Sequence, residues 1–180
     1  MGHSLLLASV IITNMMPALG QIGAYFFDAL TQSQVWVNVQ PQNLEPGPPP
    51  LELNATVSFP GRRLVGAPAA VDLRVSAYCL AFPTRIRQPV MSVIIDGTPL
   101  AVAEPGRPFQ VISVCGEGGG TIGGTNDAIV ARIPFATFRR IASAADVELH
   151  ALGFDTRLTS SDLHALQSFV TAVADGVTLR

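Results

Sequence analysis

The sequence predicts an α+β fold: an antiparallel β-sheet or partial sandwich of roughly six to eight strands, with two helices in the C-terminal third. Three observations carry this. Val71-Asp72-Leu73-Arg74-Val75-Ser76-Ala77 alternates apolar and polar residues at period two, as a half-buried strand does. Asp96-Gly97 separates the apolar runs Val90 to Ile95 and Pro99 to Ala103, and both residue types tolerate the positive φ of a tight hairpin turn. After Pro134 the apolar period lengthens, with Phe135, Phe138, Ile141, Ala142 and Ala145 at helical spacing and Arg139 and Arg140 beside them.

A length of 180 residues suits one domain with a tail or a processed leader. Hydrophobic residues make up 48% and charged residues 13%, a composition that excludes a disordered, solvated chain. All 11 basic residues are Arg, so a catalytic lysine, a Schiff base and a Walker-type phosphate lysine are excluded. With 13 carboxylates the net charge is −2, which lacks the basic footprint of a nucleic-acid binder.

Taken in order, residues 5 to 12 read Leu-Leu-Leu-Ala-Ser-Val-Ile-Ile, the length of a signal-peptide apolar core and too short to span a bilayer. Ala18-Leu19-Gly20 supplies small residues before a cut that leaves Gln21 as the mature start. Residues 1–20 are therefore expected to be a signal peptide, and the mature chain to be periplasmic or secreted without a membrane span. Met-Gly-His-Ser, ahead of the apolar core, lacks the usual positive charge. The alternative is an N-terminal helix continuing through Ile22 to Leu30.

Residues 21–60 read as an N-terminal extension and Pro-rich connector, and residues 61–180 as the β-rich domain with its C-terminal helix. Val35, Val37 and Val39 share one face of a short strand, with Trp36 and Asn38 on the other. Glu45-Pro46-Gly47-Pro48-Pro49-Pro50 then stops regular structure, because Pro fixes φ and donates no hydrogen bond; a stiff connector is the commoner reading, a polyproline recognition segment the sharper one. Asn54-Ala55-Thr56 fits the glycosylation acceptor pattern, which has meaning only in a eukaryotic secreted protein.

Cys79 and Cys115 are separated by 35 residues. In an oxidising compartment they are expected to close one disulfide, contributing roughly 2–4 kcal/mol, the alternative being two buried thiols in facing strands. No zinc site is expected, since there is no close Cys pair and His3, His150 and His164 lack ligand spacing. Phe109 to Val114 is the next strand candidate.

Gly118, Gly120 and Gly123 satisfy G-x-G-x-x-G in letter. A dinucleotide site needs a helix after that loop, whereas Ala128 to Ile133 reads as a strand, and no acidic residue lies between Ala142 and Ala145. Gly118, Gly119, Gly120, Gly123 and Gly124 are instead expected to form a hairpin loop that covers a ligand or is merely slack, and no cofactor is expected. Asp96 reads as a turn residue that needs no partner.

Val147, Leu149 and Ala151 alternate with Glu148, His150 and Leu152, which argues a strand. Thr159-Ser160-Ser161-Asp162 announces a capped second helix with Leu163, Leu166, Val170 and Val173 on one stripe and His164, Ser168, Thr171 and Asp175 on the other. Both His150 and His164 thus fall on polar faces and read as solvated.

The order of these elements from Val71 to Ala174 resembles small exported bacterial β-rich proteins of unassigned function. Ile133-Pro134-Phe135-Ala136-Thr137-Phe138-Arg139-Arg140-Ile141-Ala142 and Leu158-Thr159-Ser160-Ser161-Asp162-Leu163-His164-Ala165-Leu166 carry the resemblance. In architecture the layout is also similar to the invasion-associated locus B class of periplasmic proteins. The characteristic Gly-Cys motif of that class is missing, so the resemblance implies no functional residue.

Two function classes follow. The leading expectation is an exported, non-enzymatic binding or structural domain, because no carboxylate pair or nucleophile constellation stands out. Its sparse charge points to self-association or to a cell-envelope component as partner. The alternative is a small hydrolase or transferase with Cys115 as nucleophile, His150 or His164 as base, and Glu148 or Asp162 orienting that base.

Overall fold

Alternating β-branched and polar residues favour a pleated, half-buried surface. In the computed structural model most of the first two-thirds of the described chain takes that form. The structure describes residues 21–27, 32–46, 51–78, 91–102, 109–112 and 126–179. In chain order the elements are β1 (Gln21–Phe27), β2 (Gln32–Val39), β3 (Gln42–Asn43), β4 (Leu51–Pro60), β5 (Arg63–Leu64), β6 (Ala70–Tyr78), β7 (Met91–Ile95), β8 (Thr98–Leu100), β9 (Gln110–Ile112), β10 (Asn126–Pro134), α1 (Phe135–Ser143), β11 (Val147–Ala151), β12 (Phe154–Arg157), α2 (Ser160–Ala174) and β13 (Val177–Thr178). This is the α+β fold expected, with antiparallel sheets and both helices in the C-terminal third, but with 13 strands among the described residues in place of six to eight.

A six-stranded sheet has the order β1-β2-β4-β6-β10-β9, a five-stranded sheet the order β3-β12-β11-β7-β8, and β13 pairs with β5. Residues 21–60 do not stand apart from residues 61–180, because β4 lies between β2 and β6 and is hydrogen-bonded to both. The segment read as a connector likewise contributes β3, which pairs with β12. The N-terminal helix alternative does not form over Ile22–Phe27: β1 pairs residue for residue with β2, from Gln21↔Asn38 to Phe27↔Gln32.

One core joins both sheets and both helices. The large sheet contributes Val35, Val37, Leu53, Val57, Leu73, Val75, Ile129 and Ile133, every second residue of its strands, and the small sheet contributes Met91, Val93, Val147 and Leu149. Phe138 of α1 and Phe169 of α2 are fully buried and meet edge to face, with ring centroids 5.9 Å apart and planes at 87°. Where Leu53, Leu73, Val93 and Phe138 converge, the remaining gap is about 10 Å³, room for at most one water. At that point the interior offers no ligand space, which turns attention to the outer faces.

The turns set the registers. Asp96 (φ 48°) and Gly97 (φ 75°) form the two-residue connection between Ile95 and Thr98, both in the positive-φ region. A second such turn, Leu152 (φ 56°) and Gly153 (φ 82°), joins Ala151 to Phe154 and creates β12, which the sequence reading missed. Leu is a poor left-handed residue, at a cost of roughly 1–2 kcal/mol, and burial of its side chain offsets that cost here.

Asp96 also has partners, contrary to its reading as a plain turn residue. Its Oδ1 accepts from the backbone N–H of Ala145 at 3.0 Å and of Asp146 at 2.9 Å. That capture fixes the turn between α1 and β11, so α1 ends at Ser143 and Ala145 lies exposed rather than on the helix's buried face. At α2 the anticipated cap is present: Thr159 accepts from Asp162 N–H, and the Asp162 carboxylate accepts from Thr159 N–H at 2.8 Å. Phe169, absent from the predicted stripe, is a residue of α2 that meets α1. Among the described residues no helix is long and apolar enough to cross a membrane.

Candidate functional site

The small sheet builds its outer face from period-two strands. In β11 Val147, Leu149 and Ala151 point into the core, which leaves Glu148 and His150 facing outward. In β7 the same alternation turns Ser92 and Ile94 outward, and in β12 Asp155 and Arg157. Register then aligns these residues in two rows across three strands. One row is Ser92–His150–Asp155, the other Ile94–Glu148–Arg157.

In the first row His150 Nδ1 lies 2.6 Å from Asp155 Oδ1. Asp155 thus engages Nδ1 of the ring and leaves Nε2 as its other polar atom. The Leu152-Gly153 turn makes this pair, since a two-residue turn sets position 150 opposite position 155. Thr156, beneath them, donates its hydroxyl to the Leu149 carbonyl at 3.1 Å and is fully buried.

In the second row Arg157 Nη2 donates to Glu148 Oε1 at 2.5 Å, and its Nε lies 3.3 Å from Asp146 Oδ1. The hydrogen bond to Glu148, then the charge of Asp146, raises the Arg157 guanidinium above its ordinary value against an opposing desolvation. Asp146 is held in turn, as its N–H donates to Asp96 and its carbonyl accepts from Asp96 N–H at 2.9 Å.

A groove of about 400 Å³ lies over the two rows. β3 lengthens the sheet on one side, and Leu44 N–H donates to the Asp155 carbonyl at 3.0 Å, so Leu44 and Glu45 form one wall. Ser92 and Ile94 form the other, and Glu148, His150 and Asp155 lie between them. Leu44 is 47% exposed, an apolar patch beside three carboxylates.

The structure distributes the residues named from sequence as follows. His150 borders the groove half-exposed, with its Nδ1 against Asp155, whereas His164 is exposed on α2. Glu148 engages Arg157 and Asp162 caps α2, so neither orients a histidine; Asp155 does. Cys79, Cys115 and Gly118, Gly119, Gly120, Gly123 and Gly124 lie outside the described residues. Asn54 and Thr56 sit half-buried on the central strand β4, where Thr56 Oγ1 donates to Asn54 Oδ1 at 2.7 Å. Among the described residues no group of three or more His, Cys, Asp or Glu side chains is placed to hold a metal ion.

Sequence reasoning missed Ser92 and Asp155. The signal for Asp155 was the Leu152-Gly153 pair between two short alternating segments, hidden because Leu is uncommon at positive φ. Ser92 had no local signal, since its place opposite His150 depends on pairing between segments far apart in the chain. Compared with known proteins, the chain matches no family model, no curated protein and no solved structure.

Proposed function

We propose that this chain is an exported binding domain that takes a small polar ligand in the groove on the outer face of its five-stranded sheet. The observation that carries this reading is the groove itself, about 400 Å³ in volume, with hydrogen-bonding side chains of Ser92, His150 and Asp155 beside the apolar Leu44 and Ile94. Apolar surface with a few convergent polar groups is the usual composition of a small-molecule site. Export is supported by the apolar run of residues 5 to 12 followed by Ala18-Leu19-Gly20. Self-association or attachment to a cell-envelope component is supported by the sparse charge.

The test is a small-molecule screen against the isotopically labelled chain. Binding at the groove shifts the amide resonances of Ser92, His150, Asp155 and Thr156 together and leaves those of β4 and β6 unmoved. Shifts confined to the large sheet would reject this site. Terminal sequencing of the secreted chain, expected to begin at Gln21, tests export, and light scattering on an eluting peak tests self-association.

A hydrolase is the second reading, favoured by one observation, the 2.6 Å His150–Asp155 pair. Thiol counting on the unreduced protein tests the version with Cys115 as nucleophile: no free thiol rejects it.

A further inference from the structure

We infer that Ser92, His150 and Asp155 form an acyl-transfer constellation that hydrolyses uncharged or cationic esters. This inference rests on the groove proposed above as a binding site and goes beyond it. Three facts converge. The three residues occupy one cross-strand row, Ser92 opposite His150 and His150 opposite Asp155. Asp155 Oδ1 lies 2.6 Å from Nδ1, the arrangement in which Nε2 is the nitrogen left to act as base. All three border the same cavity, so a substrate seated there meets them together.

Directly opposed residues on neighbouring antiparallel strands hold their Cβ atoms about 4.5–5.5 Å apart, within reach of one another by side-chain rotation alone. Ser92 is exposed and its side chain has no hydrogen-bond partner among the described residues, so its hydroxyl is available to the imidazole. Catalytic hydrogen bonds are often long or unformed until substrate binds.

The reaction balances as follows. Ser92 Oγ attacks the ester carbonyl carbon while its proton passes to His150 Nε2. The tetrahedral intermediate collapses, the carbon–oxygen bond to the alcohol breaks, and the leaving alkoxide takes the proton from His150. Water then attacks the acyl-serine, gives its proton to His150, and releases the carboxylic acid as Ser92 recovers its hydrogen. Ester and water become acid and alcohol, with no other co-reactant.

The surroundings set the substrate class. Glu45, Glu148 and Asp155 line the groove, and their charge repels an anionic substrate. Leu44 and Ile94 offer the apolar surface for an acyl or alkyl group. β11 is flanked by strands on both sides, so its backbone N–H groups are committed to ladder hydrogen bonds and do not converge on an oxyanion. The chemistry therefore suits labile esters and not amides, whose poorer leaving group needs that stabilisation.

The experiment uses the full chain with para-nitrophenyl acetate and, separately, a fluorophosphonate that phosphonylates activated serines. Expected are turnover above buffer, a covalent adduct on the peptide containing Ser92, and loss of both in Ser92→Ala. His150→Ala lowers turnover by about 100-fold. Asp155→Asn lowers kcat by at least about 100-fold with KM unchanged, the split expected of a positioning residue that sets the tautomer. Wild-type melting behaviour of Ser92→Ala and Asp155→Asn separates loss of chemistry from loss of fold. Turnover that survives Ser92→Ala, or absence of both adduct and turnover in the folded wild-type chain, overturns the inference. If ligand-induced shifts at the groove persist in that case, the binding reading stands without it.

Discussion

On the outer face of the six-stranded sheet Asp72 meets Arg132 at 3.4 Å and Thr56 donates to Asn54, while on the outer face of the five-stranded sheet His150 meets Asp155 at 2.6 Å and Arg157 bridges Glu148 and Asp146. Both faces are polar by the same alternation, yet among the described residues the groove lies over the smaller sheet. The reason is strand length. Central strands of the large sheet run for 8 to 10 residues and keep their turns far from the middle of the face. In the small sheet no strand exceeds five residues, and the segment that follows β3, Leu44 and Glu45, rises beside the same rows and walls them on one side. A long sheet stabilises the core; a short one brings loops, and with them a concave surface, to its outward residues.

The largest expected effect tests whether the two sheets share one core. Phe169→Ala removes a fully buried ring that meets Phe138 and is expected to cost about 3–5 kcal/mol. In denaturant, circular dichroism and the resonances of both sheets should then be lost in one transition at lower midpoint. Separate transitions would break the comparison, because the small sheet would be its own unit.

Next comes Gly176→Ala, at φ +89°, where a Cβ would stand 2.5 Å from the Leu64 carbonyl oxygen. The expected loss is about 1–3 kcal/mol, with the amide protons of β5 and β13 exchanging faster and those of the small sheet unaffected. Asp96→Ala is smaller, about 1 kcal/mol, because the N–H groups it abandons are near solvent. It sharpens the comparison differently, since it frees the turn that positions Asp146 and should shift the Arg157 resonances while the large sheet keeps its own.

The smallest effect concerns pH. Arg157 is held protonated, first by Glu148 and then by Asp146. A raised folded-state value means that its contribution is complete below the ordinary guanidinium value and is lost only as pH climbs beyond it. The melting difference between wild type and Arg157→Gln is thus expected to stay constant from neutral to alkaline pH. A difference that shrinks over that range would show that the guanidinium is not held in this way.

Much of the fold was legible locally. Val71 to Ala77 became β6, Asp96-Gly97 became a hairpin turn, and Thr159 to Asp162 became the cap of α2, because alternation, positive-φ tolerance and capping are properties of adjacent residues. The candidate site was half legible. His150 was named, but Glu148 and Asp162 were expected to orient a base, and each carboxylate has a closer use. β12 was missed because its turn places Leu152 at an angle that Leu seldom adopts, with burial of the side chain offsetting the strain.

The sequence by itself thus determined β2, β6, β7, β8, β10, β11 and both helices and which of their faces are apolar, since period and turn chemistry act over a few residues. Only the tertiary structure decided that β2 and β4 belong to one sheet with β6, that Asp96 holds the turn at Ala145 and Asp146, and that Ser92, His150 and Asp155 stand in one row. Those facts rest on which strand pairs with which and in what register. Pairing is selected by burial of a shared core, a property of the whole chain and not of any segment.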